Sequence, residues 1–462
     1  MKKLLLWILL LGLVLRLISL NQSFWLDEAT TSYVASQLSF SEIITKFSPG
    51  DFHPPLYYLL LKVWSLIFGT GEIALRIPSV IFGLLTIYIT FLIGRELVNR
   101  KTGLTAAVLL ATSALHVYYS QEARMYSLIA FLVTLSVFSF MKILKRGRLR
   151  DFLIFGLVLV TIAASDYVGV FIFLAFWVYV IVFKQSKKFF PKFIASHIIL
   201  LLFAVLWLPV FLKQLNIGLS VNTTALSWWH LLGTFSLKNV FLIPVKFVLG
   251  RISFDNKVVY GLVTSLAFIL FGYSLAFSLK KIRRSALIWF WLLIPIALGV
   301  IVSFKISILS YFRFIFCLPA LYLLCATGLS RLKPKFQNFF LLIMVLVNIV
   351  FSGIYLFNLG FHRENWRGLV SFINKESNNT NSITLFVADL NMEAYRYYDS
   401  SAKISGPEGL NSGFNQVWLM RYLQPVFDPF DTLRAKIQDA GYNKEGEYDF
   451  NGVVVWKYVK NI

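Results

Sequence analysis

The chain has 462 residues, of which 58% are hydrophobic and only 14% carry a charge. A soluble domain has about 25% charged residues, so this composition excludes an ordinary soluble protein. The net charge of +22 does not indicate a nucleic-acid partner, because the basic residues fall in short turns between apolar runs. These runs recur along the chain at the length of a membrane span and predict a polytopic α-helical membrane protein.

Hydropathy and the placement of Lys and Arg predict about 11 transmembrane helices, with the N-terminus in the cytoplasm and the C-terminus outside. Every dense basic cluster of the first 357 residues then lies on one face. The first run has no small-residue cleavage site and is interpreted as an uncleaved span. The predicted spans are residues 3–20, 74–97, 102–119, 127–144, 151–166, 168–183, 193–213, 258–279, 285–303, 313–330 and 337–357.

The remaining segments predict two domains, a transmembrane domain over residues 1–357 and an extracytoplasmic α/β domain over residues 358–462. The external loops are residues 21–73 and 214–257, and the short apolar run 55–69 is interpreted as a helix lying in the outer interface. Cys317 and Cys325 share one apolar run and are expected to be buried and unpaired. In the tail, helices are predicted over residues 364–376 and 431–440, and strands over residues 382–388, 416–420 and 452–458.

Polar chemistry concentrates on the outer face, beginning with the adjacent acids Asp27 and Glu28 directly after the first span. Ionisable groups beside hydrocarbon are costly, which favours a functional role. The alternative is structural, with Asp27 capping a juxtamembrane helix. Further along the loop, His53 precedes two prolines that fit the first turn of the interfacial helix. This histidine is either a ligand or base, or a residue that caps or packs the turn.

A second cluster lies at the outer turn between two spans and contains Glu122, Arg124 and Tyr126. Arg124 and Arg313 are basic residues on a face that is otherwise poor in them. Glu122 and a bound phosphate are the two partners expected for Arg124. The alternative for both arginines is snorkelling to lipid headgroups. Two such arginines beside two acidic clusters favour a functional site.

Asp166 and Tyr167 form an acid–aromatic pair in a tight external turn, where they line a sugar site or simply start the turn. The sequence contains no Walker A loop, dinucleotide fingerprint, zinc spacing or Ser-His-Asp arrangement at a credible position. Carboxylates and arginines beside a membrane suit a substrate whose leaving group is a lipid-linked phosphate.

The order of these motifs resembles a known family. Leu-Asp-Glu at residues 26–28, His-Pro-Pro-Leu-Tyr-Tyr at 53–58, Arg-Ile-Pro at 76–78 and Gln-Glu-Ala-Arg-Met-Tyr at 121–126 occur in sequence. Together they resemble the bacterial branch of the GT-C glycosyltransferases, which includes dolichyl-phosphate-mannose–protein mannosyltransferase-like and aminoarabinose transferase-like enzymes. The resemblance is strongest over about residues 1–180 and extends more weakly to residues 312–314 and 364–367.

The resemblance implies an inverting transferase in the cell (plasma) membrane, with its active site on the extracytoplasmic face. Its donor would be a polyprenyl-phosphate-linked sugar and its acceptor an envelope glycan, lipid or protein. Asp27 would be the catalytic base with Glu28 as its neighbour, and Glu122 and Arg124 would lie near the donor phosphate. Family members often have a histidine–tyrosine pair where this chain has Asp166-Tyr167. Metal use varies in the family, which leaves a divalent cation open, with Glu122 and His53 as candidate ligands.

Three alternatives remain at this stage. A transporter or flippase for lipid-linked sugars would carry ionisable residues near mid-span and paired broken helices, whereas these spans are nearly free of acids. A non-catalytic envelope assembly subunit would not depend on Asp27. An oligosaccharide ligase or polymerase would use a pyrophosphate-linked donor.

Overall fold

A computed structural model describes residues 2–224, 233–280, 282–377, 381–410 and 413–460 of the chain. Residues 225–232 of the predicted loop 214–257 and Lys281 of a predicted cytoplasmic cluster lie outside these ranges. The first part of the chain is helical and the last hundred residues form a small mixed α/β unit.

The N-terminal half contains eleven helices of seven or more residues within the described ranges. They are α1 (Lys2–Leu17), α2 (Leu26–Gln37), α3 (Leu56–Phe68), α4 (Glu72–Leu97), α5 (Arg100–Thr112), α6 (Ala114–Ser120), α7 (Tyr126–Arg146), α8 (Leu149–Ala163), α9 (Ile172–Val182), α10 (Phe189–Ala195) and α11 (Ile198–Thr224). Their ends follow local chemistry. Asn99 caps α5, and Gly147 ends α7 in the left-handed conformation that glycine tolerates.

The described residues of the transmembrane part form five further α-helices: α12 (Leu237–Leu249), α13 (Lys257–Leu279), α14 (Ile282–Val302), α15 (Leu318–Leu329) and α16 (Pro334–Phe357). A 3₁₀ helix, Tyr311–Cys317, leads into α15, and another, Val168–Phe171, leads into α9. Cys317 and Cys325 are buried and free, as the sequence predicts.

Seven helices of the described residues are long and apolar enough to cross a membrane, and the bent pair α5–α6 makes an eighth. All eleven predicted spans coincide with helices or helical pairs. Three of the predicted spans, α1, α8 and the segment Val168–Val182, correspond to helices that are too short to be counted among these membrane-crossing helices. The number eleven therefore stays a prediction. Large apolar side chains such as Leu206 and Leu266 are exposed on the outer helix faces, where a bilayer would cover them.

Within its described residues, the tail contains α17 (Trp366–Glu376), α18 (Glu393–Tyr398), α19 (Gln424–Phe427), α20 (Thr432–Asp439) and five strands. The strands are β1 (Ser382–Leu385), β2 (Ile404–Ser405), β3 (Gln416–Met420), β4 (Tyr442–Asp449) and β5 (Val454–Lys460). They form one sheet in the order β2-β1-β3-β5-β4, in which β1 is parallel to both of its neighbours and β5 is antiparallel to both of its own.

The tail packs directly on the transmembrane part. One hydrophobic cluster contains Phe24, Leu75 and Ala123 from the transmembrane part together with Trp366 and Trp418 from the tail. Arg367 pairs with Glu72, and Tyr398 donates to the same carboxylate. This docking brings Asn451 and Gly452 of the β4–β5 turn to the same cavity lining as Tyr118 and Glu122 of the helical part.

Candidate active site

The two adjacent acids of the first loop lie in the first turn of α2 but face different surroundings. Trp25, not Asp27, occupies the N-cap position, and no side chain caps the helix. The predicted capping role of Asp27 is therefore wrong. The Asp27 side chain is 39% exposed, whereas that of Glu28 is completely buried. Only Asp27 is open to a substrate.

Glu28 is fixed by a dense set of partners. Arg76 binds both of its carboxylate oxygens, at 2.8 Å and 2.5 Å, and the Ala123 N–H donates to Oε1 at 2.7 Å. Arg363 from the tail lies 3.6 Å from Oε2. Burial would raise the pKa of Glu28, but the charges of Arg76 and Arg363 outweigh it and lower that pKa. Through these contacts, Glu28 connects α2 with α4, with the turn that carries Ala123 and with the tail.

Asp27 belongs to a second network that runs along the first loop. Its carboxylate lies 3.5 Å from Arg124 Nη2, and Arg124 Nη1 donates to Tyr58 Oη at 3.2 Å. Tyr58 donates in turn to Asp51 at 2.8 Å, and Asp51 lies 3.5 Å from His53 Nδ1. The predicted Arg124–Glu122 pair does not form, because the fold turns Arg124 toward the first loop.

Burial alone would raise the pKa of Asp51. The hydrogen bond and charge of His53, together with the charge of Arg124, lower it to about 2. Asp51 therefore stays ionised and anchors both His53 and Tyr58. Its role could not be read from the sequence, where it is one acid in a long loop.

His53, Asp166, Tyr167 and Arg313, four of the predicted site residues, line one cavity of about 360 Å³. We call it the apolar cavity, because its other walls are mostly aliphatic and aromatic. One buried guanidinium nitrogen of the lining residues, Arg313 Nε, has no hydrogen-bond partner among the described residues. Asp166 Oδ1 accepts from the N–H groups of Val168 and Gly169, which confirms that it starts the turn.

Glu122 and Tyr126 line a different cavity of about 510 Å³, between the transmembrane part and the tail. We call it the interdomain cavity. Its other lining residues are Trp25, Tyr118, Tyr119, Arg251, Tyr311, Phe312, Gly360, Phe361, His362, Arg363, Glu364, Asn451 and Gly452. The Tyr311–Cys317 segment separates the cavities, since Tyr311 and Phe312 face the interdomain cavity and Arg313 faces the apolar one.

Burial raises the pKa of Glu122 to about 7, against the opposing charge of Arg363, whose Nη2 lies 3.5 Å from Oε2. Glu122 and His53, the candidate metal ligands, line different cavities, and the described residues contain no group of three His, Cys, Asp or Glu side chains that could hold an ion. The predicted pair therefore does not fit a shared metal site.

Arg251, Arg363 and Glu364 are site residues that the sequence predictions missed. Arg363 donates to Tyr118 O at 3.2 Å and to Tyr355 Oη at 3.3 Å, and Arg251 donates to the Tyr118 hydroxyl. Burial raises the pKa of Glu364, and the charge of Asp27 adds to that effect. Arg251 lies in a long loop with several lysines and Arg363 lies in the tail of mixed charge, so neither stands out in the sequence as Arg124 does in a short turn that is poor in basic residues.

The turn that carries Glu122 and Arg124 follows a break in a membrane helix, where α5 and α6 meet at 64°. The last four carbonyls of a helix lack partners within it, and in a membrane each must be satisfied by other groups. Asn348 donates to Leu109 O, Ser113 N to Leu110 O, Arg16 to Ala111 O and Ser352 to Thr112 O. Side chains of α1 and α16 thus hold the break in place.

Comparisons with known proteins agree with this architecture. A family model described as dolichyl-phosphate-mannose-protein mannosyltransferase matches residues 52–211, about a third of the chain. A search of curated protein sequences gives no significant match.

The fold is similar to that of ArnT from Cupriavidus metallidurans bound to undecaprenyl phosphate, with a TM-score of 0.59 and 13% identity over 98% of this chain and 97% of that one. It is also similar to the archaeal oligosaccharyltransferase AglB from Archaeoglobus fulgidus, in complex with an inhibitory peptide and a dolichol-phosphate. There the TM-score is 0.53, with 12% identity over 98% of this chain and 74% of that one. The chain thus has a fold like those of ArnT and AglB, and its residues 52–211 match the dolichyl-phosphate-mannose-protein mannosyltransferase family.

Proposed function

We propose that the protein transfers a sugar from a polyprenyl-phosphate donor to an extracytoplasmic acceptor, with inversion at the anomeric carbon. The observation that carries this proposal is the position of Asp27. Its partly exposed carboxylate connects through Arg124, Tyr58 and Asp51 to the apolar cavity, and Trp25, two residues earlier, lines the interdomain cavity. A base linked to two cavities of different chemistry suits a reaction between two different substrates.

The apolar cavity suits the donor. Its aliphatic and aromatic walls match an isoprenoid chain, and the guanidinium group of Arg313, one of its lining residues, matches a phosphate. The similar ArnT structure holds undecaprenyl phosphate, and the similar AglB structure holds a dolichol-phosphate. Asp166 would serve this site as a turn former and Tyr167 as part of the wall.

In the proposed reaction, Asp27 accepts the proton of an acceptor hydroxyl as that oxygen attacks the anomeric carbon. The bond from that carbon to the phosphate oxygen breaks, and its electron pair leaves with the polyprenyl phosphate. Attack opposite the leaving group inverts the configuration, as in inverting glycoside hydrolysis. Arg124 and Arg313 would stabilise the departing phosphate. Glu28 is too well enclosed to react and would hold Asp27 in position.

The same proposal includes a topology of 11 spans in the plasma membrane, with the N-terminus in the cytoplasm and the site outside. The turn between α7 and α8 supports it, since Lys145, Arg146, Arg148 and Arg150 are all exposed there. We also propose two domains, residues 1–357 and 358–462, because α16 ends at Phe357 and the sheet unit follows.

The test is transfer by the purified protein in liposomes. Radiolabelled polyprenyl-phosphate sugars are offered with a crude envelope fraction as acceptor, and wild type is compared with Asp27→Asn. Asp439→Asn is the control, because Asp439 is exposed on the tail and lines neither cavity. We expect transfer by wild type and the control, and loss of at least 100-fold in Asp27→Asn, a size typical of a general base (about 10²–10⁴).

Full activity in Asp27→Asn would refute Asp27 as the base. An absence of transfer from every donor, together with movement of the lipid carrier across the bilayer, would replace the transferase by a flippase. The Asp27–Arg124 contact is long and partly exposed, so the substitution should change stability by less than about 1 kcal/mol. A folded, inactive variant is therefore informative.

A further inference from the structure

Gln214, in the second half of α11, is almost completely buried, and its amide group is bonded within the protein. Its Nε2 atom donates to Ser48 O at 2.6 Å and to His53 O at 3.3 Å, and its Oε1 atom accepts from the hydroxyl of Tyr167. A glutamine amide has two N–H groups, so both of its donors are used. Although Gln214 lines the apolar cavity, it has no N–H group left to offer a substrate.

Tyr167 fixes the orientation of this amide. Its hydroxyl accepts from the indole N–H of Trp207 at 2.8 Å and donates its single hydrogen to Gln214. The acceptor atom of the amide therefore faces Tyr167, and the NH₂ group faces the two loop carbonyls. The Tyr167 ring also packs against Phe211 of α11, with 5.1 Å between the ring centroids. Tyr167 thus offers its ring to the cavity while its hydroxyl orients Gln214.

The helix that carries Gln214 depends on such a link to the first loop. Much of α11 is apolar surface that a bilayer would cover. Pro209 interrupts the backbone hydrogen bonds of the helix little more than one turn before Gln214, because proline has no N–H group. One turn after Gln214, Gly218 lies on the same face, and a Cβ atom added there would lie 3.9 Å from the Phe52 ring. This face of α11 therefore covers the part of the first loop that Gln214 binds.

The two carbonyls that Gln214 binds lie on either side of Asp51 in the sequence. Asp51 accepts from the Tyr58 hydroxyl at 2.8 Å, and that hydroxyl accepts from Arg124 at 3.2 Å. Arg124 in turn lies 3.5 Å from the carboxylate of Asp27. Two bonds that flank Asp51 restrain the backbone that carries it. A displacement of this backbone would pass along the contacts to Asp27.

We propose that Gln214 is a positioning residue for the transfer reaction, which holds Asp51 in the series of contacts that ends at Asp27. This inference rests on the proposed transferase function and adds a residue that acts through Asp51 rather than on the substrate. With the Gln214 bonds intact, Asp51 fixes Tyr58 and Tyr58 fixes Arg124. Arg124 then keeps the Asp27 carboxylate in the orientation from which it accepts the proton.

Gln214→Leu tests the proposal, because it keeps apolar bulk and removes all three bonds. Wild type and variant in liposomes receive a radiolabelled polyprenyl-phosphate sugar and the envelope fraction, and the initial rate is measured against donor concentration. We expect kcat to fall about tenfold or more, since small displacements of catalytic groups are costly. The KM for the donor should change less than about threefold, because the apolar walls remain. Gln337→Leu is the control and should change neither constant, since this buried glutamine binds Lys101 and lines neither cavity.

Tyr58→Phe separates positioning from a merely structural role, because it interrupts the contacts between Asp51 and Arg124. If Gln214 acts along these contacts, Gln214→Leu should change kcat less than about twofold in the Tyr58→Phe background. A full additional fall in that background would mean independent effects and would overturn the proposal. A raised KM for the donor with kcat intact would also overturn it, because Gln214 would then only form part of the donor wall. Wild type that transfers nothing would refute the function itself, and this inference with it.

Tyr167→Phe takes the place of Gln214→Leu if that variant does not fold. It keeps the ring in the cavity wall and removes only the hydroxyl that orients the Gln214 amide. We expect kcat to fall about threefold to tenfold, the size of one lost hydrogen bond, and to change little in the Tyr58→Phe background. An unchanged kcat in folded Tyr167→Phe, or equal falls in both backgrounds, would contradict the proposal.

Discussion

The adjacent acids Asp27 and Glu28, in the first turn of α2, show that residue type alone does not determine the role of a side chain. In sequence, Asp27 and Glu28 form one acidic pair that resembles a family motif. In the fold, a 100° rotation per residue leaves one carboxylate partly exposed beside Arg124 and turns the other into an ion-pair network with Arg76 and Arg363. The pair therefore divides into a proposed base and a residue that positions it.

This division predicts different consequences for the two substitutions. Glu28→Gln removes one charge from a completely buried pair and leaves the Arg76 charge uncompensated. We expect it to lower the free energy of unfolding by about 3–5 kcal/mol, the usual cost of breaking a buried pair. Denaturant titration in mixed micelles measures this change. Glu393→Gln, which breaks a partly exposed pair with Arg396, should change stability by less than about 1 kcal/mol. An inactive Glu28→Gln variant with wild-type stability would instead assign Glu28 a direct catalytic role.

Six of the nine site residues predicted from the sequence line one of the two cavities, but the sequence did not show how the site residues pair. Arg124 was found because it is a cation on a basic-poor face, and Asp27 because it follows a span directly. Their contact joins the start of α2 to the turn before α7, two positions about a hundred residues apart in the sequence. No local pattern specifies such a contact. The same limit explains why Arg363 was missed, since its importance comes from the docking of the tail.

At the scale of elements, membrane helices were predictable because the bilayer imposes one length and one composition on them. The tail was predicted less completely. Strands β1, β3 and β5 and helices α17 and α20 were anticipated, whereas β2, β4 and α18 were not. Strand β4 reads Tyr-Asn-Lys-Glu-Gly-Glu-Tyr-Asp and is exposed over most of its length, so it carries almost no hydrophobic pattern. At the other end of the same sheet, β2 has only two residues.

The break between α5 and α6 is an element-scale feature whose purpose can be tested. Ser352→Ala removes the donor to Thr112 O and leaves a buried carbonyl unpaired. We expect a loss of about 1–3 kcal/mol of stability, and a roughly tenfold or larger fall in kcat, since small displacements of a catalytic turn are costly. Ser136→Ala is the control, because that buried serine bonds only within α7. Rescue of kcat by Ser352→Thr would support positioning. A fall in stability with kcat intact would show that the break is structural only.

At the scale of the whole molecule, the charge pattern and the fold together define a topology that can be measured. The basic turn between α7 and α8 and the polar tail are expected on opposite sides of the membrane. Both native cysteines are completely buried, so the wild-type chain offers a low background for thiol labelling. Arg148 and Lys436 are exposed and represent the two sides.

We expect Lys436→Cys to react with a membrane-impermeant maleimide added outside intact cells. Arg148→Cys should react only after the membrane is permeabilised, because the positive-inside bias places its turn in the cytoplasm. Labelling is measured as the fraction of protein whose mass shifts on a gel. The reverse pattern would invert the topology and place both cavities at the cytoplasmic face. Labelling of both positions from outside would mean that an odd number of the predicted spans from α8 to the tail does not cross, and the two short ones among them, α8 and Val168–Val182, are the first to reconsider.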